Sequence, residues 1–153
     1  MRTLLNILWN VPGLGFVAAF LWALAGCIMA VTIIGLPWAK ACFTLANYTL
    51  APFGRELVSR RDATGRESLG TGGLGLLANV IWFLVAGVWL MIAHVAAACA
   101  CAITIIGIPF AWAHLKLAAA AIAPVGKVVV PGGVAAEIDR ERAAGWLGAN
   151  RRW

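Results

Sequence analysis

Thr32-Ile33-Ile34-Gly35-Leu36-Pro37 returns, with one residue changed, as Thr104-Ile105-Ile106-Gly107-Ile108-Pro109. In an apolar chain such a string ends one helix and begins another. Proline lacks an amide hydrogen and clashes with the preceding turn, glycine permits the reversal, and proline fits the first turn of the helix that follows. The landmarks around it repeat as well. Gly35 and Gly107, Pro37 and Pro109, and Cys27 and Cys99 are all 72 residues apart, as are Ala51-Pro52-Phe53-Gly54-Arg55 and Ala123-Pro124-Val125-Gly126-Lys127. Upstream the spacing slips to 73, taking Asn6-Ile7-Leu8-Trp9 to Asn79-Val80-Ile81-Trp82. Matched landmarks in one order with a single slip predict an internal duplication, each copy a unit broken at its middle.

These motifs, Asn-x-x-Trp, Thr-Ile-Ile-Gly-x-Pro and Pro-x-Gly-Arg/Lys in both copies, with Met91 and His94 ahead of the second break, resemble those of the YccF-like bacterial inner-membrane proteins. The resemblance covers nearly the whole chain. It implies an inner-membrane location and a doubled architecture, and no particular chemistry.

Composition independently points to a bilayer. The 153 residues are 63% hydrophobic and 12% charged, with eight Trp and a mean hydropathy of +0.91, too apolar for an ordinary soluble domain. No charged residue occurs from Thr3 to Ala39 or from Gly70 to Leu115, runs well beyond the roughly 20 residues of a spanning helix. The net charge of +6 lies almost entirely outside these runs, so it suits anionic headgroups and not nucleic acid. Cys27, Cys42, Cys99 and Cys101 all lie in apolar stretches, where thiols act as small hydrophobes, and no His spacing completes a metal site. No cofactor is expected.

The expected fold is all-α and membrane-integral: two parallel helical hairpins, each a long arm, a Gly-x-Pro break (Gly35, Pro37; Gly107, Pro109) and a short arm. Residues 1–55 form the first repeat, 56–73 a polar cytoplasmic linker, 74–127 the second repeat and 128–153 a cytoplasmic or interfacial tail. Pro12 and Gly13 should interrupt the first long arm. The short arm from Pro37 to Phe53 reaches only about 25 Å, against about 30 Å of hydrocarbon, so it either re-enters or spans with strain. If each unit crosses and returns, Arg2, Arg55, Arg60, Arg61, Arg66, Lys127, Arg140, Arg142, Arg151 and Arg152 share one side. The positive-inside rule makes that side, with both termini, cytoplasmic. Small residues Gly15, Ala19, Ala23, Gly26 and Ala30 fall on one helical face suited to helix packing, as do Ala86, Ala93, Ala97 and Cys101 in the second copy.

Candidate functional residues are the polar ones inside the arms. Lys40, Thr44, Asn47 and Tyr48 recur at helical spacing in the first short arm; either Lys40 snorkels to the far interface, or the stripe lines an aqueous path. Lys116 occupies the same face of the second short arm, about two turns in. His94 lies mid-arm, about 20 Å from the break, while His114 is expected near the interface. Thr32 and Thr104 precede helix N-termini that can hold an anion. All six acids lie outside the arms and no catalytic constellation can be assembled, so the chain is not expected to be an enzyme. The two functional expectations are an oligomeric channel or transporter, anion-favouring because Lys40 and Lys116 are the full charges within the arms, and a non-transporting component that steadies another membrane protein. The expected partners are the bilayer, further copies of the chain, and that second protein.

Overall fold

The structure, a computed structural model, describes residues 1–11, 14–66 and 71–150. Pro12 and Gly13 lie outside the described residues, as do Arg151, Arg152 and Trp153. On either side of the first pair stand α1 (Arg2–Asn10) and α2 (Leu14–Val31). A 3₁₀ turn at Ile33–Gly35 leads into α3 (Leu36–Leu50), followed by β1 (Arg55–Ser59) and the short α4 (Arg60–Thr64). The second half runs as α5 (Gly73–Trp82), a π-turn at Phe83–Gly87, α6 (Val88–Ala102), α7 (Ile108–Ile122), β2 (Lys127–Pro131) and α8 (Gly132–Asn150).

Both breaks are built alike. The Thr32 hydroxyl donates to Met29 O (2.9 Å) and accepts from Gly35 N–H (3.1 Å). Thr104 does the same with Cys101 O (3.3 Å) and Gly107 N–H (3.0 Å). Each hydroxyl therefore serves backbone groups that the reversal would otherwise leave unpaired. The neighbouring side chains need no such help: Ile33, Ile34, Ile105 and Ile106 are 78–86% exposed, which in an apolar medium costs nothing and in water would be a large exposed patch.

From each break the short helix doubles back on its long arm. Gly26 lies against Phe43 and Cys42, and Gly87 against the carbonyls of Ala121 and Ile122. The buried face of α2 is Gly15, Ala19, Trp22 and Gly26, so the small-residue stripe is used inside its own hairpin. In the second long arm the buried positions are Gly75, Trp82, Gly87 and Ala98; of the expected stripe, Ala86, Ala97 and Cys101 are half-buried and Ala93 is exposed. The π-turn falls where the repeat spacing changes from 73 to 72, the second copy having five positions from Trp82 to Gly87 where the first has six from Trp9 to Gly15.

The chain is not all-α. β1 and β2 pair antiparallel with Leu57 opposite Val129, Arg55 opposite Pro131 and Ser59 opposite Lys127. Val58 and the run Val128 to Val130 supply the β-branched residues that favour strands. The first residues of the linker and of the tail are thus bound to each other and to the helices above, Leu57 packing against both buried clusters. Two bonds extend the ladder, Arg60 N–H to Gly126 O (2.8 Å) and Gly132 N–H to Gly54 O (2.9 Å); each becomes the other when 72 is added to one partner and subtracted from its mate. Gly54 and Gly126 have φ of +90° and +84°, left-handed values that glycine adopts freely. This explains the Pro-x-Gly-Arg/Lys motif: it turns a helix end into a strand.

Candidate functional site

Where the elements converge, the repeated motifs meet. Asn6 clamps the backbone of Phe53, its amide donating to Phe53 O and accepting from Phe53 N–H, both at 3.1 Å. Asn79 holds Val125 likewise, at 3.1 and 2.9 Å. One turn on, the Trp9 indole donates to Thr49 O (2.7 Å) and the Trp82 indole to Ala121 O (2.8 Å), closing carbonyls in the last turn of each short helix. Asn-x-x-Trp therefore fastens a long arm to the end of its own short arm.

Trp9 also touches the other half. Its ring lies 5.9 Å from that of Phe110 and 5.1 Å from that of His114. Tyr48, Ala113 and Leu117 complete this cluster, while Trp22, Trp82, Cys42, Leu45, Ala46, Ala120 and Ala121 form the second. The middle of α3 thus shares a cluster with the end of α7, and the end of α3 shares one with the first half and middle of α7. The space between the halves is filled, Leu45 and Leu117 being 1% and 0% exposed.

The two histidines, read separately in the sequence, are neighbours: His94 Nδ1 and His114 Nδ1 are 3.2 Å apart. One must donate and the other accept, which requires one neutral acceptor nitrogen. His114 is buried. The corresponding positions 72 residues earlier are Trp22 and Cys42, and Trp22 stacks on Trp82 with centroids 6.2 Å apart. One half of the centre is thus polar and the other aromatic.

Lys116 is not a solitary deep charge. Its amine meets Glu56 Oε1 at 2.5 Å, with side chains 19% and 41% exposed, because β1 rises against α7. The polar stripe of α3 faces outward: Lys40, Phe43 and Asn47 are exposed and Thr44 is half-buried. Asn47 Oδ1 accepts from Arg55 (2.8 Å), whose guanidinium also donates to the carbonyls of Asn47 and Ala51, and the Thr44 hydroxyl is turned to Lys40 O. Tyr48, the fourth member, is buried. Lys40 is exposed. It lines a groove of about 500 Å³ together with Thr44, Arg60 and the turn Pro124 to Lys127, so the start of α3 lies beside the strands. Lys40, Thr44 and Asn47 are brought together; His94 is apart from them on α6, Lys116 is bound to β1, and Thr32 and Thr104 are committed to the breaks. The Arg60 and Lys127 contributions were not visible in sequence, since they lie 20 and 87 residues from Lys40; the signal available was their place beside the repeated Pro-x-Gly turn.

Among the described residues no group of three or more His, Cys, Asp or Glu could hold a metal. Two helical runs, Leu14–Val31 and Gly73–Ala102, are long and apolar enough to cross a membrane, and their outer faces carry exposed Phe, Leu, Val and Ile.

The fold defines a small helical membrane protein with a strand-paired polar face. The inner membrane component domain of the YccF family matches residues 4–55 and 77–127. The chain is 37% identical over 155 residues to the inner membrane protein YccF of Escherichia coli strain K12, covering all of this chain and 99% of that one, and equally to the Shigella flexneri protein of the same name. No solved structure matches. The chain belongs to the YccF family of inner membrane proteins.

Proposed function

We propose that the chain is a non-enzymatic scaffold or accessory component of the inner membrane, built from two copies of one hairpin unit joined by β1 and β2, with both termini cytoplasmic. The observation that carries this reading is the filled centre: where a path between the halves would run stand Trp9, Leu45, Tyr48 and Leu117, each at most 1% exposed. The available surfaces are the outer apolar faces of α2, α5 and α6, suited to another membrane protein. The basic residues at Arg2, Arg55, Arg60, Arg61 and Lys127 support the cytoplasmic orientation.

A second reading rests on the α3 stripe. In a homo-oligomer, Lys40, Thr44 and Asn47 would face a neighbouring copy and line an anion-favouring conductance. Purified protein in liposomes separates the two: the scaffold reading expects no ion flux and a membrane partner retained through purification, while chloride flux abolished by Lys40→Met would replace it with the channel. A periplasm-active reporter should be silent when fused at the C-terminus; activity there would overturn the orientation.

A further inference from the structure

The groove beside α3 concentrates positive charge without compensation from its own walls. Lys40, Arg60 and Lys127 line it, with Thr44, the Pro124 to Gly126 turn and no acid. No described residue bonds any of the three side chains. Lys127 also borders a neighbouring crevice containing Glu56, Asp62 and Asp139, where Arg142 meets Asp62 at 3.3 Å; Lys40 does not line that crevice. Like charges around one opening raise a positive potential that a bound anion relieves.

A second, largely apolar hollow shares a wall with the groove. Lys40, Leu36 and Thr44 also border this second hollow of about 810 Å³, whose further walls are Phe43, Asn47, Arg55 and Val128 to Pro131, the Arg55 guanidinium being turned to Asn47 and Ala51. A cationic end beside a wall of Phe43 and the β2 valines fits a ligand that is phosphate at one end and hydrocarbon at the other. The other half of the molecule lacks this combination. At the positions 72 residues away stand Trp112 for Lys40, Gly132 for Arg60, Lys116 for Thr44, and Arg55 for Lys127. Lys116 is already paired with Glu56, and Arg55 with Asn47 and Ala51. The same scaffold therefore carries the charge cluster on one side alone.

We propose that this groove is a binding site for one anionic phospholipid, its phosphate held by Lys40, Arg60 and Lys127 and an acyl chain lying along Phe43 and the β2 valines. Basic pockets at the membrane surface recognise phosphate headgroups in this way. The site holds whether the chain scaffolds or conducts, since it needs only the membrane location and this groove.

The test is native mass spectrometry of the full chain in dodecylmaltoside, titrated with phosphatidylglycerol, with phosphatidylcholine of the same acyl chains, or with inorganic phosphate. Wild-type protein should retain one phosphatidylglycerol, with about tenfold weaker retention of phosphatidylcholine. Lys40→Met and Lys127→Gln should each weaken phosphatidylglycerol about tenfold, the effect of one lost charge-assisted contact. Arg140→Gln, which removes an exposed charge on α8, should leave it unchanged, and equal elution volumes would exclude misfolding. Equal retention of the two lipids, or unchanged binding in both groove variants, would overturn the proposal. Displacement of phosphatidylglycerol by millimolar phosphate would reassign the groove to a free anion and equally overturn it; failure of phosphate to compete supports the lipid.

Discussion

Replacing Trp9 by Phe tests whether the Asn-x-x-Trp motif holds the hairpin shut. Trp9 is fully buried and its indole N–H is bonded to Thr49 O at 2.7 Å. The substitution leaves that carbonyl unpaired in the interior, at a cost of about 1–3 kcal/mol, and removes part of the ring packed on Phe53 and Phe110, about 1 kcal/mol more. The sum, about 2–4 kcal/mol, corresponds to roughly 5–15 °C in Tm at the 2–4 °C per kcal/mol expected for a chain of this size. Trp82→Phe should behave the same, because its bond to Ala121 O is equivalent. Trp22→Phe removes a comparable ring from the stack on Trp82 without an indole bond among the described residues, and should lose about half as much. Trp89→Phe, at a position 68% exposed, should shift Tm by less than about 2 °C. The assay is thermal unfolding in detergent, followed by loss of the monodisperse elution peak. If Trp9→Phe and Trp82→Phe melt with Trp89→Phe, the carbonyl bonds do not hold the arms together.

Three further outcomes follow from the geometry. Gly35→Ala and Gly107→Ala should each destabilise by several kcal/mol, since an added Cβ would strike Met29 O or Cys101 O of the backbone and the Thr hydroxyl beside it; melting within about 2 °C of wild type would show that the breaks relax. In a cysteine-free background, Leu57→Cys with Val129→Cys should cross-link under mild oxidation and Leu57→Cys with Val130→Cys should not, because successive residues point to opposite faces; the reverse pattern on a gel would shift the register. A double-mutant cycle on Lys116→Met and Glu56→Gln should give a coupling of about 0.5 kcal/mol, as expected for a partly exposed pair, and additive effects would mean that the contact is not maintained.

Much of this architecture is legible in the sequence because each motif performs a local task. The Gly-x-Pro strings mark the reversals and the hydrophobic runs mark the long arms, whereas nothing in the repeat spacing announces the π-turn at Phe83–Gly87. Other features were hidden because they depend on distant partners. Five-residue strands set in charged sequence have no periodicity to separate them from a connector, and β1 is defined only by β2. Lys116 reads as a buried charge until Glu56 is placed beside it, and His94 reads as solitary until α7 folds back to bring His114 within 3.2 Å. The family relationship fixes the inner-membrane location, while the basic groove emerges only from the meeting of α3 with the turn before β2.

The pairing of Leu57 with Val129 also sets an order of events during synthesis. When β1 leaves the ribosome its partner has yet to be made, and the whole second hairpin must be inserted before the ladder can close. Until then each nascent chain presents the unpaired edge of β1 to any neighbour whose β2 is already made. Two chains that traded their second halves would recover every bond across β1 and β2, so exchange between copies at the translocation site would require no surface that a single chain does not already possess.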